Sequence, residues 1–409
     1  MKEGWKMVKL GKIVTTSNGL WKGKKPPYIN IAVIRNTNFT KDCKLRLDDI
    51  EYIDAEEKQF LTRKLEYGDI IIEKSGGSDK QPVGRPVLFN IKEGNFSYSN
   101  FTSRIRIIDN KIIDSSFLQK ALYNHYIKGS TFPLQSNTTG IHNLDFKGYL
   151  ELDIPLPPLE EQHRIVSILD ASFEKIDTLK KNAEENLKNA KALFQQVLAQ
   201  ELKPKEGWVE KKLGEIGEVF SGFAFKSSSF KTEGRYQIIR IGNIKQDNLR
   251  LNESPIFVDI VDDKTLSKSL LYKGDLVVTQ TGTRHKRDYG FIAMVKNDNL
   301  LLNQRNACIR ISDVELAKFV LYYSYTKLYK DDFFANEGGT VGQGNVGISA
   351  LKEMLISFPT DTEEQHRIVA TLDTLSEKCR RLEQVAQQTI RECDALKQSI
   401  LRQAFSGEL

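Results

Sequence analysis

A seven-residue stretch that occurs twice decides the fold: Glu-Glu-Gln-His-Arg-Ile-Val at residues 160–166, and again at residues 363–369, 203 positions later. Lys-Glu-Gly-Trp at residues 2–5 returns at residues 205–208 with the same separation. Two identical stretches at one separation indicate that the chain contains two copies of one structural plan.

Between these anchors the copies have diverged. Gly68 of a Gly-Asp pair corresponds to Gly274 at a separation of 206, and Asn100 and Asn303 restore the separation of 203. Length changes confined to the stretches between strands are typical of a shared scaffold that carries different binding surfaces.

Apolar positions after each anchor alternate between steps of four and three. The first series is Ile165, Leu169, Ser172, Ile176, Leu179, Ala183, Asn186, Ala190, Leu193 and Val197; the second is Ile368, Leu372, Leu375, Cys379, Leu382, Ala386, Thr389, Cys393, Leu396 and Ile400. Heptad spacing predicts two coiled-coil helices of about 35 to 40 residues, roughly 55 Å long. Each stripe is most simply buried against its repeat, which predicts antiparallel helices with one globular domain at each end.

The remaining sequence predicts α+β domains. Short β-rich runs are Asp69–Glu73, Val87–Asn90 and Ser103–Ile108 in the first copy, and Asp275–Gln280, Phe291–Val295 and Ala307–Ile311 in the second. Helices are predicted at Phe117–Lys128 and Val314–Tyr329. The predicted organisation is a first domain at 1–155, a first helix at 156–203, a second domain at 204–358 and a second helix at 359–409.

Composition excludes several classes. Lysine and arginine number 60 against 54 acidic residues, a net charge of +6 that permits nucleic-acid binding without requiring it. The 4 cysteines show no metal-ligand spacing, and no apolar run is long enough to cross a membrane. We therefore expect a cytoplasmic protein without a metal site or membrane segment.

Several motifs together resemble the specificity subunits of type I restriction-modification systems. They are the Trp-x-x-x-x-Leu-Gly start of each domain, the Gly-Asp strand, Ser-Gly-Phe-Ala-Phe at 221–225, Pro-Leu-Pro-Pro-Leu-Glu-Glu-Gln at 155–162 and Ala-Phe-Ser-Gly-Glu-Leu at 404–409. The resemblance covers essentially the whole chain. It implies two target-recognition domains that each read half of a bipartite, asymmetric double-stranded DNA target, with the helices setting the spacer.

The resemblance also implies partners. Methyltransferase (modification) subunits would dock on the helices, bind S-adenosylmethionine and methylate adenine N6, and motor-nuclease (restriction) subunits would join them for cleavage. This chain would then bind no cofactor and catalyse no reaction.

Polar loops after the Gly-Asp strands are the first candidates for DNA contact, because Gln, Arg and Lys side chains can discriminate base edges. The candidates are Ser75, Ser78, Lys80, Gln81 and Arg85 in the first copy, and Gln280, Thr281, Thr283, Arg284, Lys286 and Arg287 in the second. Polar residues that follow apolar runs at equivalent positions add Arg35, Asn36, Arg240 and Asn243. Any of these side chains could instead belong to a solvated polar loop.

A glycine-rich stretch at 342–347 matches Gly-x-Gly-x-x-Gly, but the strand and helix of a dinucleotide site are not predicted around it. Its backbone amides could approach DNA phosphates, which adds Gln343 and Asn345, together with Asn137, Thr138 and Thr139 at a related position. A structural turn is the alternative.

Two other functions remain open at this point. A self-contained adenine methyltransferase would need an acidic or amide loop, whereas Lys25-Pro26-Pro27-Tyr28 places a donor-only lysine there. An interaction scaffold that binds something other than DNA is not excluded by composition. His163 and His366, each without a Cys or second His nearby, favour a docking role over a metal site.

Overall fold

A computed structural model describes residues 5–20, 23, 25–79, 81–138, 140–259, 261–340 and 342–409. It confirms the α+β class, with helices and strands in both copies. The chain divides into two compact units, one formed by residues 1–184 with 387–409 and the other by residues 185–386. Each unit contains one globular domain and part of both long helices.

The first copy contains β1 Lys6–Lys9, β2 Val14–Asn18, β3 Tyr28–Ile34, β4 Glu51–Glu56, α1 Glu57–Arg63, β5 Ile70–Glu73, β6 Ser75–Gly77, β7 Pro86–Leu88, β8 Phe96–Tyr98, β9 Thr102–Ile107, α2 Ser115–Ile127, β10 Gln135–Thr138, β11 Ile141–Leu144, α3 Phe146–Leu150, β12 Asp153–Leu156 and α4 Leu159–Glu201.

The second copy contains β13 Trp208–Lys212, α5 Leu213–Ile216, β14 Glu218–Ser221, β15 Tyr236–Ile239, β16 Ile244–Lys245, β17 Asn248–Leu249, β18 Phe257–Val258, α6 Asp263–Ser269, β19 Leu270–Leu271, β20 Leu276–Thr279, β21 Thr281–Thr283, β22 Ile292–Met294, β23 Leu300–Leu302, β24 Asn306–Arg310, α7 Val314–Tyr323, α8 Lys327–Ala335, β25 Gly338–Thr340, β26 Gln343–Asn345, α9 Ile348–Glu353, β27 Leu355–Pro359 and α10 Thr362–Ser406.

The Gly-Asp strand lies at the centre of each domain. In the first unit the strand order is β2-β9-β5-β7, and in the second it is β14-β24-β20-β22. Both faces of β5 are buried: Ile70 and Ile72 pack in a cluster with Phe117 of α2, and Ile71 packs with Ile34 in another. Burial on both faces explains why these strands read as continuous apolar runs rather than alternating ones.

The domain ends are closed by a pair of strands in each copy. Strand β1 pairs with β12, and β13 pairs with β27, both antiparallel. The long helices begin directly after these pairs, at Leu159 and Thr362. The strand pair therefore connects the start of each domain to the start of the helix that follows it.

The helices pack antiparallel in both units. In the first unit Lys180 pairs with Asp394 at 2.6 Å, and the Arg164 guanidinium donates to the Leu409 carbonyl at 2.7 Å. In the second unit Cys379 Sγ donates to the Ala190 carbonyl at 3.4 Å, and Arg367 pairs with Glu201 at 2.8 Å. Residue numbers fall along α10 as they rise along α4 in each unit, so the predicted direction is confirmed.

The predicted seam is half right. One residue of each heptad is buried, as expected; these residues are Leu169, Ile176, Ala183 and Ala190 on α4, and Leu372, Cys379, Ala386 and Cys393 on α10. The apolar residues expected on the other side of the seam are about half exposed, namely Leu179, Leu193, Leu382 and Leu396. Residues one position further on, such as Phe173 and Lys180, are partly buried instead, so the helices are rotated toward that side.

The repeated Glu-Glu-Gln-His-Arg stretch fixes each helix to its domain through glutamine rather than histidine. Gln162 is fully buried, where its Nε2 donates to the carbonyls of Ile112 and Pro157, and its Oε1 accepts from the Asp114 amide. Gln365 Nε2 likewise donates to the Pro359 carbonyl at 2.6 Å. His163 and His366 are exposed. Docking of each helix to its own domain is therefore the role of the glutamine and not of the neighbouring histidine.

One predicted helix is two. The stretch from Val314 to Tyr329 breaks after Tyr323, where the Thr326 hydroxyl caps a new helix by accepting from the Tyr329 amide. Hydroxyl side chains at this position compete with helix continuation, which explains the break.

Candidate nucleic-acid interface

A small polar sheet lies on the second domain. Strand β21, directly after the Gly-Asp strand, pairs with β26, and β26 pairs with β25 of the glycine-rich hairpin. The Thr281 hydroxyl donates to Asn345 Oδ1 across the first pair at 3.0 Å. The Gly-x-Gly-x-x-Gly stretch is thus part of a β-hairpin rather than the strand–loop–helix of a dinucleotide site.

The first domain carries the same sheet. Strand β6 pairs with β11, and β11 pairs with β10, so the order β10-β11-β6 matches β25-β26-β21. Ser75 Oγ donates to Asn143 Oδ1 at 2.6 Å, and Gln135 Oε1 accepts from the Val83 amide at 3.1 Å. Each copy therefore joins two loops that are some 60 residues apart in sequence into one polar surface.

This surface brings together several of the loop residues selected from sequence. On the second domain it includes Thr283, Arg284, Gln343 and Asn345, and on the first Ser75, Ser78 and Asn137. Lys80 and Thr139 lie outside the described residues, as does the side chain of Thr138. The sequence had pointed to these loops separately, but not to their contact.

Two arginines in the turn that follows β21 are held by neighbouring side chains. Arg284 Nε donates to Glu337 Oε2 at 3.0 Å, and Glu337 also accepts a hydrogen bond from the Tyr289 hydroxyl. The Arg287 guanidinium lies over the Phe334 ring, 4.7 Å from its centroid. Lys286, between them, is exposed.

Electrostatics keep this cluster charged. The hydrogen bond from Tyr289 and the charge of Arg284 hold the pKa of the Glu337 carboxyl below its usual value. Burial, together with the acceptor Glu337, raises the pKa of the Tyr289 hydroxyl, so that Tyr289 remains a donor at neutral pH.

Some of the selected residues are buried and fully engaged. Arg85 makes two hydrogen bonds to Glu73, at 2.7 and 2.9 Å, and Gln280 Nε2 donates to the Val346 carbonyl. Asn243 Nδ2 donates to the carbonyls of Arg250 and Glu253, and Thr281 lies under the hairpin. These four side chains are buried and expose little to a ligand.

Of the positions that follow the apolar runs, Asn36 lies beside the first sheet. Asn36 Nδ2 donates to the Ser75 carbonyl at 3.2 Å, so this loop touches the first sheet directly. Arg35 pairs with Glu51 at 2.6 Å, and Arg240 donates to the Ser254 carbonyl at 2.9 Å. Asn243 is equivalent to Asn38 rather than Asn36, because each accepts from the amide three residues before it.

Clefts accompany both surfaces. One of about 590 Å³ in the first domain is lined by Asn36, Gly76, Ser78 and Gln81, among others. One of about 410 Å³ in the second is lined by Arg240, Asn303, Gln304 and Arg305, among others.

Sequence reasoning missed the turn that borders each sheet. The Arg305 carbonyl accepts from the Gln280 amide at 3.0 Å, and the Phe101 carbonyl accepts from the Ser75 amide at 3.2 Å. Gln304 and Arg305 are exposed, and Phe101 is about half exposed. The sequence did contain a signal for this turn, because Asn100 and Asn303 beside it are again separated by 203 residues.

Within the part of the chain that the structure describes, no group of three or more His, Cys, Asp or Glu is arranged to hold a metal ion. The same residues include no helix with the length and apolarity to cross a membrane. All four cysteines are free and buried.

The chain contains two copies of an α+β domain, each with a polar surface of strands and turns, and a pair of long helices joins them. This combination defines the class of tandem specificity subunits. The chain belongs to the type I restriction modification DNA specificity family, whose domain matches residues 2–189 and 205–392. The resemblance inferred from the sequence is thereby confirmed.

Curated relatives carry the same description. The chain is 24% identical over 438 residues to the type I restriction enzyme EcoKI specificity subunit of Escherichia coli K12, covering 100% of this chain and 89% of that protein. A putative type I restriction enzyme specificity subunit of Haemophilus influenzae is 37% identical over 139 residues, which is 33% of this chain and 32% of the relative. These relatives are named specificity subunits, which supports a non-catalytic role at the level of the family.

Solved structures share the fold. A chain from a study of complex assembly and conformational transition of the type I R-M system matches with a TM-score of 0.74 and 21% identity, over 100% of this chain and 99% of that one. The HsdS subunit of Thermoanaerobacter tengcongensis matches with a TM-score of 0.57 and 22% identity, over 100% and 98%.

Proposed function

We propose that this chain reads an asymmetric, bipartite DNA target and directs adenine-N6 methyltransferase and restriction subunits to it. The observation that carries the proposal is the pair of polar sheets, built from equivalent strands but presenting different side chains. Equivalent scaffolds with different exposed groups would bind two different short sequences.

The side chains on each sheet suit groove contacts. The second sheet presents Arg284, Lys286 and Gln343, donors that match guanine edges or phosphates. The first presents Ser78 and Asn137, which suit phosphates and adenine edges. Exposed glycines, Gly338 and Gly339 in the second hairpin and Gly140 in the first, allow close approach of the backbone to the DNA.

Partner docking on the helices is supported by their exposed leucines. Leu179 and Leu396 in the first unit, and Leu193 and Leu382 in the second, are each about half exposed at the same heptad position. Complete burial of an exposed leucine side chain is favourable by about 1.5 to 3 kcal/mol. Because these leucines are already about half buried, a methyltransferase subunit that covers them would gain roughly half of this free energy for each. That subunit would itself bind S-adenosylmethionine.

The test is selection from randomised DNA duplexes by the chain assembled with its modification subunits. We expect two dissimilar short sequences separated by a constant number of unselected base pairs. Replacing Thr283, Arg284 and Lys286 together by alanine should erase one half-site, whereas the matched helix variant Lys188→Ala should change neither. A single continuous motif, or binding of labelled S-adenosylmethionine by the isolated chain, would contradict the proposal.

A further inference from the structure

Arg284 is anchored at one end of its guanidinium. Its side chain is 41% exposed, while that of its partner Glu337 is only 10% exposed. Among the described residues, the hydrogen bond of this guanidinium runs through Nε to Glu337. The terminal edge of the guanidinium, formed by Nη1 and Nη2, offers two parallel donors besides the Nε–H that Glu337 holds.

The sheet is shaped around the acceptor. A Cβ atom on Gly344 would lie 2.1 Å from Tyr289 Oη and 2.4 Å from Glu337 Oε1. One on Gly282 would lie 2.7 Å from the Tyr289 ring. Such distances exclude any side chain at these two positions, so the glycines make room for the Tyr289–Glu337 pair at the centre of the sheet.

The last turn of α8 and the residues directly after it organise both arginines. Glu337 holds Arg284, and Phe334, three residues earlier, underlies Arg287. Fixing an arginine before binding removes part of the side-chain entropy that DNA contact would otherwise cost.

We infer that Glu337 and Tyr289 position Arg284 to read a guanine in the half-site of the second domain. Two parallel donors of a guanidinium match O6 and N7 of guanine, which is the commonest specific arginine contact in the major groove. The inference rests on the proposed function, since it requires the second sheet to face DNA. Glu337 and Tyr289 act through Arg284 and are therefore positioning residues.

The equivalent loop of the first domain, residues 75–81, contains no arginine. His142 Nε2 lies 3.3 Å from Asp79 Oδ1 there, and the Asp79 side chain is 94% exposed. Guanine reading by an arginine at this position of the sheet is thus assigned to the second half-site.

The experiment compares base preferences at every position of the selected target, using the full chain with its modification subunits. Arg284→Ala should reduce the preference for guanine at one position of the second half-site by roughly five- to a hundredfold. Glu337→Gln and Tyr289→Phe should weaken the same preference by a smaller factor. The first half-site should be unchanged in all three. Glu353→Gln, which removes an exposed pair with Lys212, is the matched control and should change no preference.

The readout separates a positioning role from a structural one. Loss of fold would weaken binding at all positions of the second half-site together, and Tyr289→Phe keeps the ring while removing the hydroxyl alone. Uniform weakening in Tyr289→Phe, or an unchanged guanine preference in Arg284→Ala, would overturn the inference while leaving the bipartite target intact. Failure of the unmodified protein to select two half-sites would instead overturn the proposed function.

Discussion

Substitution of Arg85 should destabilise the first domain without changing what it binds. The Arg85 and Glu73 side chains are only 5% and 2% exposed, and the guanidinium also donates to the carbonyls of Phe39 and Asn36, at 2.8 and 3.2 Å. Removing one member of a buried ion pair typically costs about 3 to 5 kcal/mol, because the other charge is left without a partner. We expect Arg85→Met to fall in that range.

Replacing both members should restore part of the loss. Glu73→Leu with Arg85→Met removes both charges, so the unpaired carboxylate no longer contributes. The carbonyls of Phe39 and Asn36 still lose their donor, at about 1 to 3 kcal/mol each when buried. The second copy has Thr279 where the first has Glu73, and Thr279 Oγ1 accepts from the Phe291 amide. The strand therefore accepts a neutral residue at the position of Glu73.

Hydrogen–deuterium exchange measures the effect in each domain separately. Amides of β5 and β9 should exchange roughly 10²- to 10⁴-fold faster in Arg85→Met, since each 1.4 kcal/mol corresponds to a factor of ten. Amides of β20 and β24 serve as the control within the same molecule. Unchanged exchange in β5, combined with an altered half-site preference, would refute the reasoning and return Arg85 to the DNA-contacting surface.

Three further predictions concern the helices. Deleting residues 181–187 and 384–390 together should shorten the spacer in the selected target by about three base pairs, because seven residues span about 10 Å of helix, whereas either deletion alone should disrupt pairing. Burial alone would raise the pKa of Asp177, but Lys397 and Lys44 outweigh it and hold this pKa below its ordinary value. The charged carboxylate therefore stabilises the fold above about pH 4, and this stabilisation is lost as the pH falls through the lowered pKa. In an acid titration, Asp177→Asn should be less stable than the unmodified chain at neutral pH and equally stable in acid. Leu193→Lys with Leu382→Lys should weaken association with the modification subunit at least roughly tenfold in a titration while leaving helix content by circular dichroism unchanged.

The repeat made the architecture predictable. Two identical stretches at one separation, followed by heptads, were sufficient for the tandem domains and the antiparallel direction of the helices. The side of the helix that faces its partner was not predictable. Leu179 and Lys180 both lie within one turn of the buried Ile176 and Ala183. From sequence, the apolar leucine is the expected contact with the partner helix. The structure instead buries the stem of Lys180, whose amino group reaches Asp394.

The polar loops were also predictable, but their assembly was not. Gly, Ser, Thr and Asn after a buried strand predicted a turn with binding potential, yet β21 and β26 meet only through long-range pairing. Arg85 was misleading because its partner Glu73 looks like the ordinary polar end of a strand. An acidic residue that closes a fully apolar run, followed by an arginine within the same hairpin, was the signal of a buried pair.

Exchange of the second domain tests the central claim most directly. Residues 208–358 would be replaced by the corresponding domain of another family member, and the modified bases would be sequenced in a host that carries the partner subunits. If two dissimilar surfaces read DNA independently, one half of the target changes and the other half is retained. Simultaneous change of both halves, or of neither, would contradict the account.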